Sequence, residues 1–156
     1  MGNPVMPPQW KEIETAAHAL RLEPLLFDVR SGADIDKAFD AAASRHIDAL
    51  VVSVESLTQA NADHIAALAI SHRLPTIYAS REFVEVGGLV SYGVSYPDLY
   101  LRAAAYIDKI FKGARPAELP VEQPTKFELV INLKTARALA LDVPPLFLTR
   151  ADDVIE

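Results

Sequence analysis

His18, His46, His64 and His72 are the four histidines of the chain, and imidazole is the side chain most readily recruited for metal binding or proton transfer near neutral pH. All four fall in segments of helical pattern or at their ends. His64 and His72 are eight residues apart, about two helical turns, too far to share a metal ion, and no HExxH or comparable ligand spacing occurs. The absence of cysteine removes thiolate metal sites, disulfides and cysteine nucleophiles together. No GxSxG, no Walker-type GxxxxGKS/T and no GxGxxG after a strand is present. Gly87-Gly88 follows a loop and precedes a strand, the wrong order for a phosphate cradle. Asp152-Asp153 reads as solvation of a helix end rather than an acid–base pair. The chain is therefore expected to bind rather than catalyse, with no metal and no cofactor.

Polar groups suited to binding sit where apolar runs stop. Ser53, Glu55 and Ser56 accompany the end of DALVVSV, and Ser80, Arg81, Glu82 and Phe83 follow LPTIYA. Open α/β sheets hold ligands outside the carboxyl ends of their strands, and polar groups beside an aromatic suit a small polar or amphipathic molecule. Arg81 has the fork geometry to hold a carboxylate through two hydrogen bonds. A plainer reading stands beside this one: Ser56 caps the next helix, and Arg81 and Glu82 are loop charges.

These groups need a scaffold, and short apolar runs alternating with helical periodicity supply it. Trp10, Ile13, Ala17 and Leu20 form a helical stripe, with Pro8 in the first turn. Leu25–Val29 reads as a strand. Ser31, with Asp34 three residues on, opens a helix that buries Ile35, Ala38, Phe39 and Ala42. Asp48–Val54 is nearly continuous apolar, as in a parallel strand covered on both faces. Leu57–His72 is helical, Leu74–Ala79 a buried strand and Leu89–Gly93 a short strand. Pro97 opens an amphipathic helix through Leu99, Ala103, Ile107 and Ile110, closed by Gly113. Ala114–Lys126, with Pro116, Pro120 and Pro124, reads as an extended spacer. Phe127–Ile131 is a last strand, Asn132 caps a helix over Leu133–Leu141, and Pro144-Pro145 introduces a short terminal helix. The sum is an α/β fold with a doubly wound, mainly parallel sheet flanked by helices. A further strand is expected just before Asn3.

Composition narrows the function classes. Apolar residues make up 51% of the 156 residues and charged residues 23%, a globular balance. A net charge of −6 with no basic block argues against a nucleic-acid partner. No apolar run approaches the roughly 20 residues that span a bilayer. Met1–Trp10 is proline-rich, without the basic and apolar regions of a signal peptide.

The blocks GGLVSYG, YIDKIFKGARPAELPVEQPTKFELVINLKTA and PPLFLTRADDVIE carry more than pattern. With them the chain resembles the ABC-transporter substrate-binding family, related to tryptophan- and amino-acid-type binding proteins. The likeness is strongest over the second half and covers essentially the whole chain. It implies an incomplete lobe like that of type I periplasmic binding proteins, in which two α/β lobes close on a ligand about a hinge. Residues 1–86 would form the C-terminal-lobe core, 87–113 would cross into the N-terminal lobe, and 114–156 would return.

By the same likeness the ligand-lining positions are Ser53, Glu55, Ser80, Arg81, Phe83 and Tyr92. The ligand would be an amino acid or another carboxylate-like solute, the partner an ABC permease, and the location periplasmic. The first half of such a protein is not in this sequence, so weak or absent binding by the chain alone is expected. The apolar stripe of the 97–112 helix is expected to be covered by a second copy, giving a homodimer, or folded back on the chain's own sheet. An intracellular ligand-sensing or oligomerisation domain of the same fold is the alternative function.

Overall fold

The computed structural model describes residues 6–156; the strand expected before Asn3 lies outside them. Helix α1 (Met6–Ala19) leads into an extended stretch and α2 (Gly32–Ser44), then β1 (Leu50–Val52), α3 (Ser56–Ala60), α4 (Ala62–Ser71) and β2 (Thr76–Tyr78). A single turn, α5 (Glu82–Glu85), precedes β3 (Val90–Val94), and α6 (Tyr96–Phe111) follows it. The chain ends with β4 (Phe127–Asn132), α7 (Leu133–Ala138), α8 (Pro145–Leu148) and β5 (Asp153–Ile155).

The five strands form one sheet in the order β1-β2-β3-β4-β5. The first three are parallel, β4 runs antiparallel to β3, and β5 lies parallel to β4. The fold is thus α/β with a mostly parallel sheet flanked by helices. Pairing puts Leu50, Val52, Thr76, Tyr78, Ser91, Val130 and Asn132 on one face, because successive side chains of a strand alternate. On that face Val52, Tyr78 and Phe83 join Ile35 and Phe39 of α2 and Ile65 and Ala69 of α4 in one core. The opposite face is barer: Val51, Ile77, Tyr92 and Phe127 are all exposed.

Several expectations change in the folded chain. Leu25–Val29 is not a strand; Phe27 and Val29 pack on the core, but none of the described strands pairs with it, and extended backbone needs a ladder to become sheet. The segment expected as one helix from Leu57 to His72 divides at Asn61, whose side-chain amide donates to the Leu57 carbonyl at 2.8 Å and which stands at the N-cap of α4. The cap of α3 is Glu55, not Ser56: the Glu55 N–H donates to Thr58 Oγ1 at 3.0 Å, and the Glu55 side chain accepts from the Thr58 backbone in a reciprocal box.

Asp152-Asp153 does not solvate a helix end. Asp152 accepts the Leu129 N–H at 2.8 Å and Asp153 opens β5. The 114–126 connector is more than a spacer, because Tyr106 Oη donates to the Pro120 carbonyl at 2.6 Å and Arg102 reaches Glu122 and Thr125. It straps α6, which places no residue in a buried core and is not folded back on the sheet. Asn132 caps α7 as expected, accepting the Thr135 N–H at 3.1 Å. Gly113, at φ +100, takes the left-handed position that glycine adopts without strain just past α6.

Candidate functional site: the rim at the strand ends

The parallel run brings the carboxyl ends of β1, β2 and β3 to one edge of the sheet, and antiparallel β4 brings its amino end there too. Ser53 and Glu55 follow β1, Ser80 and Arg81 follow β2, and Ser95 follows β3. The Ser80 and Ser95 hydroxyls are buried and have no hydrogen-bond partner among the described residues. A buried hydroxyl without a partner is costly. Both lie at adjoining strand ends and are enclosed by the chain itself, as are the Tyr78 hydroxyl and one Glu82 carboxylate oxygen.

Glycine sets how the rim is built. A Cβ on Gly93 would collide with the carbonyl of Ala79, so only glycine lets the tail of β2 lie that close to β3. A Cβ on Gly88 would come within 2.6 Å of the Phe83 carbonyl and the Tyr78 ring. The tail can therefore cross toward β4, where Asn132 Nδ2 donates to the Val84 carbonyl at 3.2 Å and ties α5 to that strand.

Arg81 emerges from this crossing among three carboxylates. Its Nε donates to Glu85 at 2.8 Å and its Nη2 to Asp153 at 2.8 Å, while Nη1 lies 3.7 Å from Glu128. The hydrogen bond to Glu85, helped by Asp153, raises the guanidinium pKa further, so the group is a fixed cation. Two of its five N–H groups donate to protein carboxylates, and it links the rim to the last strand.

The expected site residues thus separate by placement. Ser53, Glu55, Ser80 and Arg81 lie together along the rim. Phe83 is fully buried, its ring stacked on Tyr78 with centroids 4.8 Å apart, and it supports the rim from the core. Tyr92 points from the bare face of β3 and stacks on Phe127 at 5.8 Å, both rings exposed. Sequence reasoning did not single out Ser95. Its one signal was its place immediately after a strand and before the Pro97 helix.

The histidines stay away from the rim. His64 pairs with Asp36 at 3.0 Å and His72 with Asp40 at 3.6 Å, joining α4 to α2. Among the described residues no group of His, Asp or Glu is arranged to hold a metal, and no helix is long and apolar enough to cross a membrane. A groove of about 400 Å³ runs between α6 and its strap along Leu99, Tyr106 and Pro120, away from the rim.

The family model for ABC transporter substrate binding proteins matches residues 7–155. The chain belongs to that family. Its members are binding proteins and not enzymes, in keeping with the absence of a catalytic motif in the sequence. A tyrosine-binding protein from Clostridioides difficile is 22% identical to this chain over 111 residues, covering 71% of the chain and 32% of that protein.

Among solved structures, the ABC domain from Streptococcus pneumonia in complex with L-Trp is 28% identical, with a TM-score of 0.86 over 96% of this chain and 50% of that one. A conserved domain protein from Vibrio cholerae O1 biovar El Tor gives a TM-score of 0.86 at 22% identity, over 97% of this chain and 52% of that one. The chain spans about half the length of these solved relatives and a third of the curated one.

Proposed function

We propose that this chain forms one wall of an interlobe cleft in a solute-binding protein that delivers an amino acid to an ABC permease outside the cytoplasm. The observation that carries the reading is the rim: Ser53, Glu55, Ser80 and Ser95 gather after adjoining strands, at the sheet edge where α/β folds take ligands. An aromatic amino acid is the class favoured by the L-Trp bound in one relative and the tyrosine in the name of another. Ser53, Ser80 and Ser95 would meet its polar end, with Arg81 bracing the rim through its own carboxylates and Tyr92 standing near the hinge.

In this reading residues 1–86 are the core of the C-terminal lobe, 87–113 pass into the other lobe, and 114–156 return. The strapping of α6 by the connector, away from the sheet, supports that division. The exposed Tyr100, Ile107 and Phe111 of α6 then pack on the second lobe, a place that another copy's α6 would take in a homodimer of the chain alone. The alternative, a ligand-sensing domain inside the cell, uses the same rim and differs in what the second lobe is joined to.

Titrating the isotopically labelled chain with L-Trp and L-Tyr at millimolar concentration tests the rim, because one wall alone binds weakly. Amide shifts centred on Ser53, Ser80 and Ser95 are expected. Saturable shifts confined to other elements would remove the proposal.

A further inference from the structure

We infer that the hollow between the C-terminal ends of α2 and α4 binds a phosphate-type oxyanion, gripped by Arg73 and His46. The hollow measures about 220 Å³, and its lining includes Ala42 and Leu74, both buried, with His72 between the two helix ends. It lies at the edge of the sheet where β1 and β2 begin, opposite the rim. The inference therefore stands apart from the ligand reading.

The two helices end in the same way. After α2 the His46 N–H donates to the Ala43 carbonyl at 3.1 Å and the Ile47 N–H to Ala42 at 3.3 Å. After α4 the Arg73 N–H donates to Ile70 at 3.0 Å and the Leu74 N–H to Ala69 at 2.8 Å. These paired bonds close each helix with backbone alone. They also occupy carbonyls whose partial negative charge would otherwise oppose an anion.

Neither His46 nor Arg73 is thus needed as a side-chain cap, yet both hold a strained place. Their φ angles are +52 and +53, the left-handed position that Gly113 takes after α6 and that side chains disfavour. Arg21 and Ala140 take that position too. After α2 and α4, however, two such residues are both basic and line one hollow.

The side chains suit an oxyanion. The guanidinium of Arg73 can place two parallel N–H bonds on phosphate oxygens, and a histidine ring offers an N–H donor in either tautomer. Arg81 and Arg102 are held by carboxylates of the chain, whereas among the described residues Arg73 and His46 form no ion pair. His72 is set as a wall, its Nδ1 3.0 Å from the Leu68 carbonyl. Asp40 brings a carboxylate 3.6 Å from His72 Nε2, with its side chain well exposed, where water screens its charge.

Free phosphate and the headgroup of an anionic phospholipid carry the same chemistry, and the test separates them. Inorganic phosphate, exchanged for chloride at constant ionic strength, is expected to shift the amides of residues 45–47 and 72–74 saturably, with a Kd of about 1–10 mM. Arg73→Gly removes the guanidinium from a backbone that glycine fits better. It is expected to melt no lower than the parent chain and to bind phosphate at least about tenfold more weakly. Arg73→Lys, which keeps the charge without the fork, should fall between the two. Should Arg73→Gly melt lower, Arg73→Gln, which keeps a side chain at the same φ, carries the comparison. Sedimentation with phosphatidylglycerol vesicles then names the source: capture of the parent but not of Arg73→Gly assigns a lipid headgroup, and no capture assigns a free phosphate solute. Shifts that do not saturate, that chloride alone reproduces, or that persist undiminished in Arg73→Gly would each overturn the inference.

Discussion

Replacing Arg81 by alanine tests whether the rim is braced as the structure indicates. The change removes hydrogen bonds to Glu85 and Asp153, each 2.8 Å, and the longer contact to Glu128. The Arg81 side chain is about one-third exposed, as 34%, and Asp153 and Glu85 are near half, at 47% and 51%. Solvent therefore screens much of the attraction. A helical i,i+4 pair contributes about 0.3–0.5 kcal/mol and a half-exposed pair up to about 1. Glu128 is better buried, with a side-chain exposure of 16%, and is left among like charges with Lys126 3.7 Å away.

The sum is roughly 1–2 kcal/mol, which for a chain of this size lowers Tm by about 2–8 °C. The loss should shrink near 1 M salt, where the screening length falls to about 3 Å. The decisive readout is local. Arg81 joins the end of β2 to β5, a contact made across 72 residues of sequence, so amide protection in Asp153–Ile155 should fall more than in β1 or β2. Arg81→Lys keeps the charge but not the fork and should restore only part of the loss. Unchanged melting together with unchanged β5 protection in Arg81→Ala would refute the bracing role.

Gly93→Ala drives a methyl group into the Ala79 carbonyl, a backbone group that cannot swing aside; a loss of about 1–3 kcal/mol or more in urea unfolding is expected, and a neutral result would mean that the β2 tail does not cross there. Tyr78 is the buried tyrosine of the core, and burial pushes its phenol up to about 12. Its raised pKa stabilises the fold fully below about pH 10, the unfolded value, and that contribution is lost as pH rises from there through the folded value. Ultraviolet titration should show Tyr78 ionising last of the five tyrosines, and Tyr78→Phe should abolish that last step.

Local chemistry was legible in the residues themselves. Asn132 and Gly113 mark helix ends because a cap depends on a few adjacent backbone groups. The runs around Val52 and Tyr78 mark buried strands because continuous apolarity leaves few other places for them. The blocks from GGLVSYG onward carried the family, and the strand ends carried the position of the rim.

Other features depended on which strands became neighbours, and adjacency is a non-local property. Arg81 has the same side chain wherever it stands; that Glu128 and Asp153 come to lie beside it was visible only in the folded chain. Phe83 reads equally well as a cleft aromatic or a core one until α5 turns it onto Tyr78. Leu25–Val29 has the alternation of a strand, yet extended backbone becomes sheet only when another strand meets its hydrogen-bonding groups.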